Sequence, residues 1–129
     1  MKPDEFAHNL AQFNNGTNTW YRHWLDRRFF YTDGMKFVAD NGAAWLLDAI
    51  FSHIKTKLAL QREEFQVWRL KVSPDNTAIL VADDGDGRKL AEQSIPFTDF
   101  PLSEIKIYVE VGYVDAEEGG YIMMLPGER

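Results

Sequence analysis

Ile105, Ile107, Val109, Val111 and Tyr113 put an apolar side chain at every second position, with Lys106, Tyr108 and Glu110 between them. A period of two is the pleat of a β-strand with one face buried, and no helix reproduces it. The first half of the chain follows another rule. Leu46, Ile50, Ile54 and Leu58 recur every fourth residue, Leu47 and Phe51 lie beside them, and Asp48, Ser52 and Lys55 form the opposite face. That spacing predicts a helix from Ala43 to Leu58 with a buried stripe. With 129 residues there is room for about one core, so both periods must serve it.

Local signals fill in the rest. Asp4 is placed to cap a helix running to Phe13, with Phe6, Leu10 and Phe13 on one side. Asn14 to Asn18 is a breaker, Thr19 to His23 an extended piece, and Trp24 to Tyr31 a loop followed by a short strand. Thr32 is a good N-cap for a helix over Asp33 to Asp40, ended or kinked by Asn41-Gly42. Strands follow at Phe65–Val72, Thr77–Ala82, Lys89–Ile95, Ile105–Tyr113 and Tyr121–Leu125, with Asp83 to Gly87 as a hairpin turn. The fold expected is α+β: one domain over residues 1–129, helices first, then an antiparallel sheet of four to five strands with two to three helices packed on one face.

Composition narrows the chemistry. There is no cysteine, which removes disulfides, thiolate metal sites and cysteine nucleophiles. The opening MKPDEFAHNLAQF has no apolar run for a signal peptide or membrane span, so a cytoplasmic location without membrane contact is expected. Net charge is −6. Residues 1–82 carry ten Lys or Arg against nine acids, and residues 83–129 four against eleven. An acidic second half speaks against bulk electrostatic binding of nucleic acid.

The usual catalytic patterns are missing. His8, His23 and His53 have no metal-ligand spacing, and no metal or cofactor is expected. Asp83-Asp84-Gly85-Asp86-Gly87 imitates a calcium loop, but its alternate positions fall on glycines or on Arg88. No serine sits in a nucleophile elbow, and there is no Walker or GxGxxG loop. A general acid–base pair of His23 with Asp33, Asp48 or Asp99 is open, though no spacing selects it.

What remains is Thr19 to Gly34, where Trp20, Tyr21, Trp24, Phe29, Phe30 and Tyr31 alternate with Arg22, His23, Arg27 and Arg28. One reading makes Trp20, Phe29 and Phe30 core and pairs Arg22 and Arg28 with surface acids. The functional reading makes Tyr21, Arg22, His23, Trp24 and Arg27 a recognition patch, because Trp, Tyr and Arg dominate binding hot spots. If Thr19 to His23 is extended, Trp20 and Arg22 face one side, Tyr21 and His23 the other.

TWYRH, YTDG, the Trp-containing helix, EFQVW, FTDFPLSEI and the closing MLPGE together resemble a family of small bacterial and mobile-element proteins catalogued only as a domain of unknown function. The resemblance spans about Leu10 to Glu128. It implies one domain over the whole chain and carries no activity, cofactor or catalytic residue with it. The expected function is therefore a non-enzymatic binding module for a protein partner. The alternatives are single-stranded nucleic-acid binding, an acidic decoy of a nucleic-acid-binding protein, and a small-molecule enzyme. Self-association through an exposed edge, the last strand or Lys89–Ile95, is also open.

Overall fold

The computed structural model describes residues 2–129. Helix α1 (Pro3–Leu10) begins after Lys2, which makes no side-chain cap. Asp4 is thus not the cap; it lies inside the first turn with Glu5, where a carboxylate still favours the positive helix end. The helix stops three residues before Phe13, and tighter bonds from Gln12 N–H to Asn9 and Phe13 N–H to Leu10 finish the turn. Strands β1 (Tyr21–Arg22) and β2 (Phe29–Tyr31) come next, ahead of α2 (Asp33–Val38). Thr32 caps α2 as expected, its hydroxyl accepting the Met35 N–H at 3.3 Å.

Residues 39–43 form the foreseen kink: Gly42 has a φ of 100°, open to glycine at little cost. Beyond it runs α3 (Ala44–Thr56), burying Leu46, Leu47, Ile50, Phe51 and Ile54. The stripe does not extend to Leu58. Lys57 is extended, so a separate turn, α4 (Leu58–Gln61), begins there; Leu58 faces out and Leu60 takes the buried place.

Strands β3 (Phe65–Val72), β4 (Ala78–Asp83), β5 (Lys89–Ile95), β6 (Glu104–Tyr113) and β7 (Gly119–Met124) lie close to the expected ranges. The sheet they build is larger than expected and not purely antiparallel. It has seven strands in the order β1-β2-β7-β6-β3-β4-β5, and β2 runs parallel to β7. Strands β3 to β7 alone would be the five-stranded antiparallel sheet. The two short strands join it because β7 offers a free edge that Phe29, Phe30 and Tyr31 pair with, opposite Tyr121, Ile122 and Met123. Helices therefore do not all precede the strands.

Register sorts the side chains. Ile107 lies opposite Trp68, Trp68 opposite Ala82, and Ala82 opposite Ala91, all on the face that meets α1, α2, α3 and α4. Phe6, Met35, Ile50, Phe51 and Leu60 close the same core. Buried Gln66 is satisfied within it: it donates to the Leu60 carbonyl and accepts from the Trp68 indole N–H, both at 2.9 Å. Among the described residues no α-helix packs on the other face. It carries a small apolar cluster of Phe30, Ile122 and Met124, with Tyr108 and Val114 against it. No helix among the described residues is long and apolar enough to cross a membrane.

Candidate functional site

Strand β1 is only two residues, but it sets the alternation of the cluster. Tyr21 lies opposite Tyr31 and stacks on its ring at 5.4 Å between centroids, on the helical side. Its hydroxyl donates to Asp33 at 3.3 Å. Arg22 lies opposite Phe30, crosses that ring at 5.4 Å on the open face, and pairs with Glu118. His23 returns to the helical side and is buried against Phe51. The opposed facing of Tyr21 and Arg22 is therefore real, and it splits the five expected residues between two surfaces.

From His23 the chain runs along α3, tied down at each step. His23 Nδ1 accepts the Leu25 N–H at 3.2 Å, so its proton is on Nε2, which donates to Asp48 Oδ1 at 2.7 Å. The Trp24 indole N–H donates to the same oxygen at 3.0 Å. Lys55 reaches the Leu25 carbonyl at 3.3 Å and Asp26 at 3.1 Å. Asp26 also holds the Arg28 side chain and backbone N–H, and those bonds from Arg28, with Lys55, keep its carboxyl well below the usual carboxylate range. The candidate pair of His23 with Asp48 thus exists, while Asp33 and Asp99 are not its partners. Both ring nitrogens are hydrogen-bonded within the fold.

The outcome for Trp24 is different. Its N–H is fixed, yet the side chain is 74% exposed. Trp20, expected in the core, is 41% exposed, while Phe29 and Phe30 are buried as foreseen. Arg27 is exposed and makes no ion pair, unlike Arg22 and Arg28. It lines a groove of about 440 Å³ with Asp26, Arg28, Glu117, Glu118 and Gly119. Trp24 and Arg27 are the members of the patch left with spare contact surface.

A second knot lies on the far side of Tyr31. Glu128, in the turn Pro126–Glu128, is buried with its carboxylate against the start of α2. One oxygen accepts the Thr32 hydroxyl at 2.6 Å and the Leu125 N–H at 3.0 Å; the other accepts the Gly34 N–H at 2.9 Å. A Cβ on Gly34 would clash with this carboxylate and come within 2.6 Å of Leu125 Cδ1. Asp33 turns outward and takes the Asn18 N–H at 2.8 Å, while its own N–H donates to Thr17 at 2.9 Å. The Asn18 bond is the main reason its carboxyl is held below the usual range. The YTDG and PGE segments, 94 residues apart between Gly34 and Glu128, are two halves of one clasp. Sequence reasoning did not connect them; the only available signal was that both belonged to the resemblance.

The remaining candidates are structural. The Asp83 and Asp84 carboxylates accept N–H groups of their own turn, Gly85 at 2.7 Å and Asp86 at 2.8 Å, as a hairpin turn requires. His53 bonds Gln93 at 2.7 Å, and His8 is exposed on α1. Among the described residues no three His, Asp or Glu side chains gather as a metal site.

Residues 4–129 match the Family of unknown function (DUF6876), and the chain belongs to it. No curated protein and no solved structure matches.

Proposed function

We propose that this chain is a non-enzymatic binding module and that a protein or peptide partner docks on Trp24 and Arg27. The observation that carries the reading is that Trp24 is 74% exposed while its indole N–H is anchored to Asp48. Exposing a Trp forfeits burial of a large apolar surface, and fixing it in place lowers the entropy lost on docking. An unpaired guanidinium three residues on completes a pair of the residue types that dominate hot spots. Tyr21 and His23 support the platform from below, and Arg22 belongs to the other face.

Single-stranded nucleic acid would meet the same indole and guanidinium. It would also meet Asp26, Glu117 and Glu118 in the adjoining groove and Asp48 beneath the indole, which oppose a phosphate backbone. The test is capture of binding partners from extract by the wild type and by a Trp24→Ala/Arg27→Ala variant of unchanged circular dichroism. Loss of a specific partner is expected. Retention of every partner by the folded variant would overturn the reading, and a mobility shift of an oligonucleotide at low salt would favour the nucleic-acid alternative.

A further inference from the structure

The open face of the sheet holds a cleft of about 630 Å³ lined by Arg69, Lys71 and Ser73 from β3 and its end, Ile79 and Val81 from β4, and Glu92 from β5. That volume lies within the ordinary range of small-molecule sites. Its floor is apolar. Ile79 is 48% exposed in mid-strand on a face where no helix covers it. Val81 beside it is half-buried, and the aliphatic stems of Arg69 and Lys71 extend the surface.

The charges around this floor are not equivalent. Arg69 is spent on Asp83 at 2.5 Å, Lys89 on Glu92 at 3.1 Å, Arg129 on Glu110 at 3.1 Å, and Arg22 on Glu118. Lys106 lies over the Tyr108 ring at 5.8 Å. Lys71 makes no hydrogen bond, ion pair or ring contact with the described residues, although Glu104 is opposite it in register. Ser73 adds a hydroxyl at the same end. The far wall is Glu92, whose carboxylate repels a second negative group there.

We propose that this cleft binds a small amphiphile with one anionic head group, a carboxylate or phosphate, on a short hydrocarbon body. The head group pairs with Lys71 Nζ and the Ser73 hydroxyl, and the body covers Ile79 and Val81. Glu92 selects against a diacid of the same length. This site is on the opposite face from Trp24's anchor on α3 and stands or falls separately from the partner-binding reading.

Octanoate is the probe, titrated into ¹⁵N-labelled full-length protein and followed by amide shifts. Saturable shifts confined to Lys71, Ser73, Ile79 and Val81 are expected. Octyl phosphate should act similarly, while 1-octanol, inorganic phosphate and octanedioate should bind at least tenfold more weakly. Lys71→Met should weaken octanoate at least fivefold, and Ile79→Glu should abolish it; both side chains are exposed, so both variants should fold. Trp24→Ala should leave binding unchanged. Equal binding of octanol or inorganic phosphate, an unaltered Lys71→Met variant, or shifts centred instead on the apolar cleft of Leu10, Phe13 and Leu102 would overturn the proposal.

Discussion

Two carboxylates flank the start of the sheet and do the same kind of work with opposite results. Glu128 gathers the Thr32 hydroxyl and the Leu125 and Gly34 N–H groups and is buried with all of them. Asp48 gathers the His23 and Trp24 ring N–H groups, but only His23 goes under. The first knot closes on itself: the Leu125 N–H holds the C-terminal turn together, and the Thr32 hydroxyl and Gly34 N–H join that turn to α2. The second holds a large ring in place at the surface. A buried, fully satisfied polar cluster serves stability; an anchored, exposed aromatic is contact area still available.

The comparison breaks first where packing is tightest. Glu128→Ala leaves three donors without their acceptor and should lower stability by about 3 kcal/mol. Gly34→Ala, which forces the same carboxylate aside, should cost about 2 kcal/mol or more. Urea midpoints should fall with an unchanged m-value, and a variant of wild-type midpoint would show that the clasp is not holding the fold. Asp48→Ala comes next, at about 1–2 kcal/mol, because the buried His23 loses its acceptor while Trp24 can turn to water. It should also loosen the indole, seen as a lower steady-state anisotropy of Trp emission in a Trp20→Phe/Trp45→Phe background.

A smaller effect tests the loop that Asp33 ties down. Its carboxyl is lowered in the folded state, chiefly by the Asn18 N–H. Its contribution is therefore present above the unfolded value and is lost as pH falls below about 4 through the folded value. Between pH 5 and pH 2.5 the wild type should lose more stability than Asp33→Asn, and parallel pH profiles would refute the assignment. Trp24→Ala should change stability least, by under about 0.5 kcal/mol, since little apolar area is recovered by an exposed ring. The same variant should weaken partner binding at least tenfold. A Trp24→Ala variant that unfolds would place Trp24 with Glu128 as a structural residue and erase the contrast.

Much of this could be read in advance, and the boundary has physical causes. Strand β6 is long enough for its alternation to declare itself, and α3 for its stripe; local spacing determines both. The Thr32 cap, the Gly42 kink and the Asp83–Gly87 turn rest on single-residue conformational preferences, which need no partner. The expected helix overruns to Leu58 because periodicity cannot register one extended residue, Lys57, that resets the helix.

Tertiary structure alone decided the rest. Strands of two and three residues have no period, so β1 and β2 entered the sheet only because β7 presented an edge. Which aromatics of Thr19 to Gly34 would be buried depended on what covered each face: Phe51 covers Phe29 and His23, Ile122 and Met124 cover Phe30, and Asp48 holds Trp24 at the surface. The sequence by itself determined the residue types, the helix and strand periods and the single shared core. Contacts between residues far apart in the chain decided which polar groups would be consumed in holding that core and which would be left facing outward, because a hydrogen-bonding group's fate is set by the partner that reaches it.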